Sequence, residues 1–226
     1  MLVAGLPAAA FGTNCWVLAP APGEQCLVVD PGVGVVPGLE DVLAEHRLRP
    51  AAVLLTHGHV DHTFSVRPVC GARGIPAYLD PADTYLLEDP FGSISAGTLE
   101  AFRAAGLEWS EPDDVRPLED GGVLELAGLR LTVTSAPGHT PGSVLFSATS
   151  EAGEPLTLTG DVLFKGSIGR TDLAGGSGEQ MSLTLRHRVL SLPDETLVLP
   201  GHGPTTSIGD ERRTNPYLRE LQEHPA

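Results

Sequence analysis

Lysine is almost absent from this chain: Lys165 is the only one among 226 residues. The 14 basic residues are therefore nearly all arginine, and against 29 acidic residues they leave a formal charge of −15. A protein that grips nucleic acid by its phosphates needs clustered Lys and Arg, so no nucleic-acid partner is expected. Cysteine is scarce as well. Cys15, Cys26 and Cys70 are odd in number and show no C-x-x-C spacing, which predicts buried thiols in a reducing compartment and not a disulfide framework. No apolar run reaches membrane-spanning length, and the opening Met-Leu-Val-Ala-Gly-Leu-Pro has neither a basic leader nor a long apolar stretch. We expect a cytoplasmic protein with no membrane partner. A phosphate loop is missing too, because Gly175-Gly176-Ser177-Gly178 is not followed by the lysine that such a loop needs. Ser177 and Gln180 instead have the spacing of a helix capping box.

What remains is an ordinary globular composition, 41% hydrophobic and 19% charged, long enough for one α/β domain or two small ones. Apolar runs predict strands at Asn14–Leu18 and Gln25–Asp30, paired across the Pro-Ala-Pro-Gly turn at 20–23. Leu39, Val42 and Leu43 have helical spacing after Pro37, so a helix is expected to His46. A buried strand Ala51–Leu55 follows, then a helix Thr63–Arg73 with an exit at Gly74. Residues 80–113 read as the least regular part, with a helix or two and long loops. Strands resume at Val123–Leu126 and Leu129–Thr134, joined at Ala127-Gly128, and again at Ser143–Ser147, Leu156–Thr159 and Thr196–Leu199. A capped helix should run from Ser177 to about Leu190, and a helical tail from Ile208 is broken at Asn215-Pro216. Nothing marks a linker, so one mixed α/β domain is expected.

Of eight histidines, three fall within Thr56-His57-Gly58-His59-Val60-Asp61-His62, at the end of the apolar run Ala51–Leu55. A polar turn could hold them by ordinary hydrogen bonds. Three further candidates also stand behind glycine after strand-like segments: His139 in Gly138-His139-Thr140-Pro141-Gly142, Asp161 in Gly160-Asp161, and His202 in Gly201-His202-Gly203. Loops after strands are where α/β folds place their chemistry. Five histidines in loops of one kind point to a metal site. His46, His187 and His224 lie on helical patterns or the tail and carry no assigned role.

These motifs resemble the metallo-β-lactamase superfamily over essentially all 226 residues. The resemblance implies a four-layer αββα sandwich and a single domain spanning 1–226. It implies that His57, His59 and His139 hold one metal, that Asp61, His62 and His202 hold a second, and that Asp161 bridges them together with a hydroxide. Asp30, in Val28-Val29-Asp30-Pro31-Gly32, would support the site from behind. Two divalent ions are thus expected; zinc leads, and iron or manganese suits the same nitrogen and carboxylate donors. A true zinc β-lactamase is not expected to carry a bridging carboxylate at Asp161, and RNA-processing members need a basic surface. The stretch from Gly160 through Arg170-Thr171-Asp172-Leu173 is similar to the hydroxyacylglutathione hydrolase (glyoxalase II) group, particularly its short bacterial members. Longer members carry a C-terminal helical domain that helps bind glutathione; this sequence stops short of one, so looser recognition of the thiol is expected.

The resemblance therefore implies a small-molecule thioester as substrate. A cysteine-like thiolate, with a pKa of about 8.5, leaves with little protonation, and two metals sharing a hydroxide make a nucleophile at neutral pH. Asp61 is the candidate for orienting that hydroxide and carrying its proton, beside serving as a ligand. Arg170 is expected to hold the substrate's carboxylate, or else to pair with Asp172; Lys165 is a second cation on the same loop or simply solvent-exposed. Two rival readings are a mononuclear iron persulfide dioxygenase, which resembles the same segment, and a non-catalytic metal-binding module, which would be expected to lose ligands.

Overall fold

The computed structural model describes residues 1–92, 94, 96–150 and 152–223; His224 lies outside them. One sheet of six strands runs in chain order: β1 (Leu2–Pro7), β2 (Asn14–Ala19), β3 (Gln25–Val29), β4 (Arg49–Leu54), β5 (Ala77–Leu79) and β6 (Val115–Pro117). Successive side chains of a strand face opposite ways. Trp16, Leu18, Leu27, Val29, Ala52 and Leu54 therefore enter one apolar layer, while Cys15, Val17, Cys26, Val28 and Val53 enter another. Strands covered on both faces read as unbroken apolar runs, which is why β2, β3 and β4 were visible in the sequence.

The second sheet of six strands contains β7 (Val123–Leu126), β8 (Leu129–Ser135), β9 (Val144–Thr149), β10 (Pro155–Gly160), β13 (Leu197–Pro200) and β14 (Thr206–Ser207), while β11 (Leu163–Phe164) and β12 (Ser167–Ile168) form a hairpin apart. Leu131, Val133, Phe146, Leu156, Leu158 and Leu199 meet Trp16, Leu27 and Leu54 in the layer between the sheets. Each such side chain contributes about 1.5–3 kcal/mol on full burial. Outside the first sheet pack Leu39 and Leu43 of α1 (Val36–His46). After the four-residue α2 (Val60–Thr63), Val66 and Val69 of α3 (Val66–Gly71) join them. Then come α4 (Thr84–Glu88) and α5 (Ala96–Ala104). Outside the second sheet, Met181 of α6 (Gly178–Thr184), Leu185 and Val189 of the π-helical turn after it, Ile208 of α7 (Ile208–Thr214) and Leu218 of α8 (Pro216–Glu223) cover Leu145 and Val198. The order helix, sheet, sheet, helix is the four-layer αββα sandwich. Among the described residues no helix is long and apolar enough to cross a membrane.

Several local expectations need revision. The helix expected over Thr63–Arg73 is two helices, because Ser65 is captured elsewhere: its N–H donates to the Pro31 carbonyl at 2.9 Å and its hydroxyl to the Gly32 carbonyl at 2.6 Å. Ser177 caps α6 as expected, with its hydroxyl accepting from Gln180 N–H at 3.3 Å. The Ser177 N–H, however, goes to the Gly138 carbonyl at 2.8 Å, so only the serine half of the expected box forms, and the helix start is tied to the His139 loop. The Ala127-Gly128 turn has φ of 52° and 72°, the left-handed pair that a two-residue hairpin requires. Cys15, Cys26 and Cys70 are buried free thiols, and burial pushes Cys26 and Cys70 up to about 12.

The two sheets meet at one end through backbone hydrogen bonds. Val144 N–H donates to the Thr56 carbonyl at 2.8 Å and Asn14 N–H to the Gly201 carbonyl at 2.7 Å, while within the second sheet Gly201 N–H donates to the Gly160 carbonyl at 2.8 Å. The loops that leave β3, β4, β8, β10 and β13 converge there.

Candidate metal centre

The β4 strand delivers Thr56 onto the carboxylate of Asp30, which is buried and has a left-handed φ of 50°. Thr56 N–H donates to Asp30 Oδ1 at 2.9 Å, and the Thr56 hydroxyl to Oδ2 at 2.6 Å. That hydroxyl has spent its one hydrogen, so at 3.1 Å it accepts from His57 Nδ1. The chain His57, Thr56, Asp30 thereby fixes the His57 tautomer and leaves Nε2 as a bare lone pair. His57 Nε2 is buried with no hydrogen-bond partner among the described residues. His62 Nδ1 lies 3.0 Å from Asp30 Oδ2, which orients its Nε2 the same way. His139 Nδ1 donates to the Arg170 carbonyl at 2.8 Å, so its Nε2 is also free to face inward. A metal-ligating histidine characteristically donates its other ring nitrogen to a carboxylate or carbonyl.

Around these nitrogens the remaining donors close in. His59 Nδ1 lies 2.8 Å from His139 Nε2. Asp61 stands on α2, not in the loop, and its Oδ2 accepts from the Thr13 hydroxyl at 3.2 Å, with His202 Nε2 also at 3.2 Å. Asp161 turns Oδ1 toward His62 Nε2 at 3.3 Å and Oδ2 toward His139 and His202 at 3.5 and 3.6 Å. Three sets can each share one ion: His57, His59 and His139; His57, His62 and Asp161; Asp61, His62 and His202, with ligand atoms within 4.8 Å in each. The structure thus brings together all seven residues singled out in the sequence. The donor chemistry and the bare, buried His57 Nε2 fit divalent metal ions.

The charges are mutually dependent. Burial opposes the charge on His62, but Asp61 and Asp161 hold its pKa well above 6.5. Burial would likewise raise Asp61 and Asp161, yet His62 above all holds both below the usual carboxylate range. Burial depresses His57, with four neighbouring imidazoles adding to the effect, and brings His59 to about 4, so both are neutral. A protonated His62 must lose its proton to bind an ion through Nε2. Metal uptake at pH 7 is therefore expected to release a proton, and affinity to fall as pH falls. Calorimetric titration with zinc in two buffers of different ionisation enthalpy checks this; heats independent of the buffer would contradict it.

Residues 8–202 match the metallo-β-lactamase superfamily. The chain belongs to that superfamily. Similar proteins include the hydroxyacylglutathione hydrolase GloC of Haemophilus influenzae, 32% identical over 94% of this chain and 96% of that one. Among solved structures, the di-iron-bound form of TTHA1623 is 37% identical with a TM-score of 0.77, over 96% of this chain and 100% of that one. The BLEG-1 B3 metallo-β-lactamase is 34% identical with a TM-score of 0.80, over 96% and 99%. The His and Asp cluster is a candidate metal site for a member of this superfamily of metallo-hydrolases.

Other candidates stand apart from the cluster. The Arg170 guanidinium forks onto Asp172, at 2.7 and 2.8 Å, and is 60% exposed; its carbonyl, not its charge, touches the centre. Lys165 is exposed between β11 and β12 and makes no ion pair among the described residues. Sequence reading missed Thr13 and Asn14, whose amide donates to the carbonyls of Pro200 and Gly203 at 3.1 and 2.8 Å. It also missed Asp83. Polar residues after an unrecognised edge strand, and one acid in an acidic stretch, gave no signal.

Proposed function

We propose that this superfamily member is a glyoxalase II-like hydrolase of small-molecule thioesters, working with two divalent metal ions, zinc foremost. The observation that carries the two-metal reading is Asp161, which reaches both sets: His139 of the three-histidine set at 3.5 Å, and His62 and His202 of the Asp61 set at 3.3 and 3.6 Å. The GloC relative supports the thioester, and the di-iron relative supports two ions and keeps iron open. Bound there, the ions supply a nucleophilic hydroxide at neutral pH and polarise the carbonyl.

The protein's own groups do the rest. Asp61, ionised and oriented by Thr13, is placed to accept a hydrogen bond from the attacking group and to carry its proton. Thr56 and the Arg170 carbonyl hold His57 and His139 in one tautomer. Phe164 lays its ring edge-on to His202, with centroids 6.0 Å apart, giving an apolar side to the mouth. A thiolate leaving group needs little protonation, which suits a centre whose carboxylates are held ionised and whose imidazoles would be committed to the ions.

Metal analysis coupled to thiol release tests the reading. Two ions per chain are expected, with thioester cleavage lost on chelation and restored by zinc. One iron per chain with oxygen uptake on a persulfide would overturn it, as would cleavage of a β-lactam without cleavage of any thioester.

Arg170 and Lys165 are proposed as the cations nearest a substrate carboxylate. Because Asp172 already shares the Arg170 charge and both side chains are exposed, a further contact there contributes little. Arg170→Ala is therefore expected to raise KM for a carboxylated thioester by up to about fivefold, to leave a neutral thioester unaffected, and to change the melting temperature little. Equal losses on both substrates would remove the guanidinium from substrate binding.

A further inference from the structure

Asp83 ends a tight 3-10 turn, Pro81–Asp83, and is fully buried. Its Oδ2 accepts from the Gly58 N–H at 2.8 Å and from the Thr140 hydroxyl at 2.7 Å, while Oδ1 accepts from the Gly142 N–H at 2.6 Å. Gly58 lies between His57 and His59, and Thr140 follows His139. One carboxylate thus spans the two loops that carry the three-histidine set. The Thr140 N–H and hydroxyl also meet the Ser143 hydroxyl, at 3.1 and 2.8 Å, which locks the second loop on its far side.

The approach is close enough to dictate glycine on both loops. A β-carbon on Gly142 would lie 2.6 Å from Asp83 Cγ, and one on Gly58 would lie 2.9 Å from the Asp83 carbonyl oxygen and from Leu86 Cβ. Asp83 hydrogen-bonds none of the seven donors. Asp30 serves both halves, His62 directly and His57 through Thr56, and Thr13 orients Asp61, but neither of them reaches the His139 loop.

We infer that Asp83 is a positioning residue that sets the distance between the His57–His59 loop and the His139–Gly142 loop, and with it the affinity of the three-histidine set for its ion. This rests on the reading of that set as a metal site. It also gives a role to Gly58 and to the Thr140-Pro141-Gly142 stretch, which serve the carboxylate and not the ion.

The test is a competition titration of zinc against a chromophoric chelator, on wild type, Asp83→Asn, Thr140→Val and His139→Ala. Wild type should show two uptake steps, and His139→Ala identifies the step that belongs to the three-histidine set. Asp83→Asn places an amide where two N–H groups and a hydroxyl need acceptors, and should weaken that step by about 10–100-fold while leaving the other unchanged. Thr140→Val, which removes one donor and keeps the side-chain shape, should weaken the same step less, and carries the test if Asp83→Asn does not fold. Melting curves of the metal-free variants give the readout for a purely structural role. Unchanged affinities at both steps, or equal weakening of both with a lowered metal-free melting temperature, would overturn the inference. Wild type taking up no zinc would overturn the metal-site reading itself and this role with it.

Discussion

Gly201→Ala is expected to cost at least about 100-fold in kcat, the scale on which a misplacement of about 1 Å acts, together with about 1–3 kcal/mol of stability. The added β-carbon would lie 2.3 Å from Asp161 Oδ1, 2.7 Å from His62 Cε1 and 3.0 Å from the Gly160 carbonyl carbon. Gly201 cannot retreat. Its N–H is held by Gly160 and its carbonyl by Asn14, so both faces of its backbone are committed. The methyl group must therefore push Asp161 away from between His62 and His139, or push His62 off Asp30. Metal content, melting temperature and hydrolytic rate of the one variant decide the matter. A variant that binds two ions and turns over at the wild-type rate would show that the Asp161 position is not critical.

The second large effect belongs to Asp30. Alanine there strips the acceptor from Thr56 N–H, the Thr56 hydroxyl and His62 Nδ1, all buried. Orphaning such a network costs about 3–5 kcal/mol, to be read as a shift in the urea midpoint of the metal-free protein. The loss should reach function by a second route. Without the carboxylate, the Thr56 hydroxyl is free to donate to His57, which would turn the lone pair of that ring away from the centre. Asp30→Asn keeps one acceptor and should recover part of the stability, but less of the metal affinity. A midpoint shift worth less than about 1 kcal/mol, with zinc affinity intact, would mean that the surrounding backbone and not Asp30 organises this end of the fold.

His57, His59, His139, Asp161 and His202 were legible because each follows an apolar run in a glycine-containing loop where backbones can approach, and Asp61 and His62, which stand on α2, because they complete the motif that begins at His57. The strands buried on both faces were legible for the same reason: burial leaves an unbroken apolar signature. What escaped notice depends on long-range geometry. The edge strand β1 is only half-buried and holds Gly5 and Pro7, while β5 and β6 have three residues each, too few for a period. The break between α2 and α3 exists because Ser65 bonds to carbonyls more than 30 residues earlier. Asp83 is one acid in a stretch dense with acids, and only the folded chain brings Gly58 and Gly142 onto it. Arg170 was singled out for its charge, whereas its carbonyl is what the fold uses.

The solitary Lys165 at the tip of the β11–β12 hairpin has a practical consequence. Amine-directed reagents meet a single side chain on the whole molecule, exposed and one residue beyond Phe164, whose ring leans on His202. A fluorophore or spin label attached there needs no engineered cysteine, and its one competitor is the N-terminal α-amine, with a pKa of about 8. The chain carries its own address for an optical reporter, seated where filling of the cluster would change the dye's surroundings.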